Sequence, residues 1–159
     1  MNTVLRRCGL GAACLIACSA LTESVRAGDF KLKVELTWGT DDMKPPGQSM
    51  QELEPKIREK LRQLRWKNYF VVKAETLPPP SKEAKKLSLS EKCAIDVRDK
   101  GDGNIEVHYF NLKTGTPPKL VDTVCYSIQK FKEGHVFVNA GDSKEKWGDA
   151  WLIILTAGE

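Results

Sequence analysis

The chain has 159 residues, 41% of them hydrophobic and 29% charged, and a formal charge of +4. That length suits one domain able to bury its own core, and so small a charge provides no global field for nucleic acid or an anionic membrane.

Residues 1–27 carry the three regions of a secretory signal peptide. Arg6 and Arg7 form a basic start, Cys8 to Leu21 an apolar run, and a polar stretch closes on Val25-Arg26-Ala27, with small residues placed for cleavage after Ala27. The apolar run falls short of the ~20 residues that span a bilayer. The expected mature protein is residues 28–159, a single strand-rich domain, secreted or periplasmic. Leu15-Ile16-Ala17-Cys18 resembles a bacterial lipobox, so the alternative is lipidation at Cys18 and a lipid-anchored envelope protein; membrane contact is expected only in that case. Arg6-Arg7 invites a twin-arginine reading, but Cys8-Gly9-Leu10 fits that pattern poorly. Cleavage would remove Arg6, Arg7, Arg26 and Glu23, lowering the charge to about +2.

In the remainder, Phe30, Leu32, Val34, Leu36 and Trp38 alternate with Lys31, Lys33, Glu35 and Thr37, the period of a strand with one buried and one wet face. Pro45-Pro46-Gly47 then breaks the ladder. Met50, Leu53, Ile57, Leu61 and Leu64 form one apolar helical stripe, and Pro55 suits a helix start, predicting a helix from Pro55 to Arg65. Its other face is basic: Lys56, Arg58, Lys60, Arg62 and Arg65. Such a strip is ordinarily a solvated face, and here it is also a candidate surface for an anionic partner.

Strand patterns follow over Trp66 to Glu75, Leu87 to Val97 with a bulge near Ser90 to Lys92, Ile105 to Tyr109, Leu120 to Lys130, and His135 to Asn139. Ala150 to Leu155 is apolar on both parities, as in a central strand covered on both faces. About seven strands and one short helix predict a mainly β fold, an antiparallel β-sandwich with the helix after the first strand. The alternative is an α+β fold, one curled antiparallel sheet wrapped on that helix. That order of elements resembles the layout of cystatins over most of the mature chain. Their Gln-x-Val-x-Gly loop is missing, so the resemblance carries no protease inhibition here.

Cys93 and Cys125 are the two cysteines outside the leader. In an oxidising compartment an even pair predicts a disulfide, which would close a loop of about 33 residues for a gain of at most about 3–4 kcal/mol. Two separate thiols are the alternative.

Side chains with chemistry are sparse. His108 and His135 fall on different predicted strands, without His-x-x-x-His or Cys-x-x-Cys spacing, so neither a metal nor a cofactor is expected. Asp41-Asp42, and Asp142 with Asp149, are acidic loop residues outside EF-hand spacing. A thiol enzyme would need Cys125 as nucleophile, His108 or His135 as base, and Asp122 or Asn139 to orient it. Of the tryptophans, Trp38 and Trp151 read as core, Trp66 as a helix-to-strand junction, and Trp147 as the exposed loop aromatic able to stack on a sugar. The expectation is an exported, non-catalytic binding or structural module with a protein or glycan partner and no nucleic acid. A carbohydrate-binding module using Trp147 and a small exported enzyme using Cys125 are the alternatives.

Overall fold

The computed structural model describes residues 30–43, 50–112, 116–141 and 149–158. The elements in chain order are β1 (Lys31–Thr40), β2 (Gln51–Glu52), α1 (Pro55–Lys60), β3 (Asn68–Leu77), β4 (Lys85–Ser88), β5 (Cys93–Asp99), β6 (Asn104–Asn111), β7 (Lys119–Ser127), α2 (Ile128–Lys132), β8 (Phe137–Ala140) and β9 (Ala150–Gly158). They form two antiparallel sheets, β2-β3-β1-β9-β8 and β4-β5-β6-β7. The fold is mainly β and consistent with a β-sandwich, as the sequence predicts, rather than one sheet curled on a helix.

The alternation in β1 sends Leu32, Val34 and Leu36 into the space between the sheets, where they meet Ile153 and Leu155 of β9 and Ile95, Val97, Ile105 and Val107 of the facing sheet. The opposite face of β1 is not wet. Glu35 and Thr37 are buried, because α1 lies over this side of the five-stranded sheet and forms a second apolar layer, with Leu53, Ile57 and Leu61 packed against Tyr69, Leu152 and Ile154. From Leu152 to Leu155 strand β9 is thus buried on both faces, as its apolar run requires.

Several elements depart from the sequence expectation. The predicted helix from Pro55 to Arg65 ends at Lys60 and continues as tight turns, with Leu61 N–H donating to Arg58 O and Leu64 N–H to Leu61 O. The stretch expected as one bulged strand from Leu87 to Val97 is a hairpin, β4 turning into β5, closed where Leu89 and Ser90 N–H both donate to Cys93 O. The long strand expected to run to Lys130 stops at Ser127, and α2 carries the chain from one sheet to the other. Helix α2 plugs that end of the sandwich. Its Phe131 is fully buried among Phe30, Tyr126 and Phe137, with ring centroids 4.7–6.1 Å away. At the other end Gly39 admits the Trp66 ring, which would stand 3.2 Å from a β-carbon there.

The inter-sheet core holds one polar pair, Tyr109 Oη and Tyr126 Oη at 2.8 Å. Burial pushes both phenol pKa values up. Removing either hydroxyl strands the other in an apolar layer. Tyr109→Phe or Tyr126→Phe alone should therefore cost about 1–3 kcal/mol in urea unfolding, and the double variant clearly less than the sum of the two. Additive losses would mean that the hydroxyls do not depend on each other.

Candidate functional site

Cys93 and Cys125 are both free thiols, which corrects the predicted disulfide. The register of β6 explains why: Cys93 stands opposite Asn111 and Cys125 opposite Glu106. Five residues of strand, ~17 Å, separate those positions, and their opposite parity puts the two side chains on opposite faces. A bridge needs α-carbons within about 7 Å. Cys93 packs half-buried against the inter-sheet core, and burial pushes its thiol pKa up. Cys125 is exposed on the outer face. Iodoacetamide at neutral pH should therefore modify Cys125 first and Cys93 only slowly, read by peptide mass; protection of both thiols until reductant is added would restore the bridge.

The outer face of the four-stranded sheet gathers the chemistry that the sequence scatters. Arg98 on β5, Glu106 and His108 on β6, and Cys125 on β7 lie side by side. Glu106 Oε1 accepts from Arg98 Nε at 2.7 Å and Nη2 at 2.5 Å, and lies 2.7 Å from His108 Nε2. The His108 contact first, and then the Arg98 guanidinium, hold the Glu106 carboxyl below its ordinary range. Cys125 Sγ is 4.0 Å from Glu106 Oε2 and 3.7 Å from Lys100 Nζ. His108 thus engages the carboxylate rather than the thiol. The other expected partners do not join them. Asp122 pairs with Tyr109 in the register, which puts it on the inner parity, and Asn139 Nδ2 donates to it at 3.4 Å. His135 sits in the turn after α2, with Nδ1 3.0 Å from Lys130 O.

A carboxylate whose folded pKa is depressed stabilises the fold above its unfolded pKa, about 4.5, and loses that contribution as pH falls through the folded value. Wild type should accordingly exceed Glu106→Gln in urea midpoint at about pH 7, and the gap should narrow steadily as pH falls below about 4.5. A gap that stays constant across that range would disprove the network's role.

The basic residues of α1 and of the turns that follow it fall into two sets. Arg58 and Arg62 turn to one side, lining a shallow groove of about 390 Å³ with Trp66, Lys67 and Tyr69. Both are engaged: Arg58 Nη2 donates to Lys67 O at 2.8 Å, and Arg62 pairs with Glu59 at 2.9 Å. Lys56 and Lys60 turn to the other side, lining a larger groove of about 920 Å³ with Lys33, Thr76, Thr156 and His135. Lys60 Nζ donates to Gly134 O, tying α1 to the turn that closes α2. Gly134 supplies that turn with φ +79°. Lys33 Nζ holds Glu35 Oε1 at 2.9 Å where the groove meets the buried layer under α1.

Beneath α1 runs a polar row that sequence reading missed. Glu35 Oε2, Thr37 Oγ1 and Tyr69 Oη are buried on the helix-facing side without a hydrogen-bond partner among the described residues. Such groups ordinarily cost about 1–3 kcal/mol each. The signal lay in β1 itself, where an acidic residue and a threonine sit on a strand that α1 covers. Glu35 is only 4% exposed.

Trp147 and Cys18 lie outside the described residues, as do the 1–27 leader and Asp142. Trp38 and Trp151, expected in the core, are half-buried and 38% exposed respectively. No group of three or more potential ligands able to hold a metal occurs among the described residues. Compared with protein families, curated proteins and solved structures, the chain shows no match to any of them.

Proposed function

We propose that this chain is an exported, non-catalytic binding module of the cell envelope or extracellular space, which meets its partner on the α1 side of the five-stranded sheet. One observation carries the reading: the groove of about 920 Å³ in which Lys33, Lys56, Lys60 and His135 converge from β1, α1 and the α2 turn. A concave surface with a few convergent polar groups is where a folded domain most readily holds a ligand. Lysine ammonium groups favour an acidic partner segment, though Glu54 and Glu59 on the same rim temper the field. The three-part leader in residues 1–27 supports export, and lipidation at Cys18 would anchor the same module to the envelope.

Two measurements test this. Protein recovered from its native cell should have a mass beginning at Gly28, or at an acylated Cys18 in the anchored form; unprocessed chain inside the cell would refute export. Titration with an oligoglutamate peptide should shift the NMR signals of Lys33, Lys56, Lys60 and His135, weaken as salt is raised, and vanish in Lys56→Glu/Lys60→Glu. Absence of shifts at these residues would remove the groove as the partner surface.

A further inference from the structure

A second surface lies at the other end of the five-stranded sheet, independent of the groove under α1. In register, Phe70 of β3, Trp38 of β1 and Trp151 of β9 stand directly opposite one another, an aromatic row across three adjacent strands on one face. The row spans ~9.6 Å between its outer strands. Further along the same face, Leu36, Ile153 and Leu155 lie in the inter-sheet core. Exposure rises across the row, from 4% at Phe70 through half-buried Trp38 to 38% at Trp151.

The row is braced from within. Trp38 packs on Phe70 with ring centroids 5.9 Å apart, and its Nε1 donates to Asp149 Oδ2 at 3.0 Å. Asp149 is itself 9% exposed. The indole N–H is therefore already satisfied by the protein, so Trp38 is held in place before any ligand arrives, and Trp151 beside it keeps accessible ring surface.

We infer that Trp151 and Trp38 form a stacking platform for one pyranose ring of an uncharged saccharide. Three features select that occupant. An indole exposes at most a ring's worth of apolar surface, far below the ~800 Å² per partner of a stable protein interface, but enough for the C–H face of a pyranose. Asp42, two residues beyond Thr40 and so on the parity of Trp38, is exposed at the same end of the sheet and supplies acceptors for sugar hydroxyls. With Asp149, the Asp42 carboxylate opposes an acidic glycan.

Affinity electrophoresis through gels containing a soluble β-glucan, a xylan or a galactomannan, with polygalacturonate as the acidic counter-probe, tests the platform. At least one neutral polysaccharide should retard the full chain. Trp151→Ala, at an exposed position, should fold normally by circular dichroism and weaken retardation about tenfold, while Trp151→Phe should retain part of it. Lys56→Glu/Lys60→Glu should leave it unchanged, which separates this site from the groove. No retardation by any of the three neutral polymers, undiminished retardation of Trp151→Ala, or stronger retardation by polygalacturonate would each overturn the inference.

Discussion

Double-sided burial of β1 is the constraint from which the rest of the architecture follows. Paired along almost its whole length with β3 on one side and β9 on the other, β1 gives Leu32, Val34 and Leu36 to the inter-sheet core and covers Glu35 and Thr37 beneath α1. A strand so placed demands a layer on each side. The four-stranded sheet provides one. The short segment from Leu53 to Leu64 provides the other, and that requirement holds a six-residue helix which would be marginal in isolation. The two layers differ in quality: the inter-sheet side satisfies its Tyr109–Tyr126 hydroxyl pair and is closed by the aromatic cluster on Phe131, whereas the helix side is interrupted by polar oxygens that have no partner among the described residues.

This asymmetry orders the possible working surfaces. The outer face of the four-stranded sheet is internally committed, since Glu106 absorbs Arg98 and His108 and keeps the imidazole off the Cys125 thiol. The helix side is less committed, with Lys56 displayed beside a large groove and Lys60 held at its rim by Gly134 O. The end of the five-stranded sheet that carries Trp151 presents an exposed indole beside the carboxylates of Asp42 and Asp149. Binding at an edge of a rigid sandwich keeps recognition away from the core, so side chains there can change with little effect on folding.

Much of the layer structure was legible in the sequence. The alternation from Phe30 to Trp38 marks β1 and its core face but not the cover on its other face, the unbroken apolar run from Ala150 to Leu155 marks a central strand, and Pro55 marks the start of α1. Parity alone could not separate β4 from β5: Leu87, Leu89, Cys93, Ile95 and Val97 keep one parity across a tight turn, which mimics a bulged strand. Helix α2 was hidden because five residues hold barely one turn, and Ile128 with Phe131 show only one helical spacing. The cysteine pair misled because pairing depends on register and face, neither of which composition reports. Trp151 misled for a related reason: its apolar neighbours from Leu152 to Leu155 are buried in the two layers, but its own ring is 38% exposed. The grooves beside α1 were half legible, since the basic strip was visible but its division between two sides depends on where the helix sits.

The free thiols bear on how this molecule is made. With Cys93 and Cys125 on opposite faces, no covalent tie links β5 to β7, and the sandwich is held by side-chain packing and strand pairing alone. Its maturation need not wait for an oxidant or an isomerase. The polypeptide can reach this shape as readily in a reducing milieu as in an oxidising one, so the redox poise of its surroundings is not a lever on its stability through these two thiols.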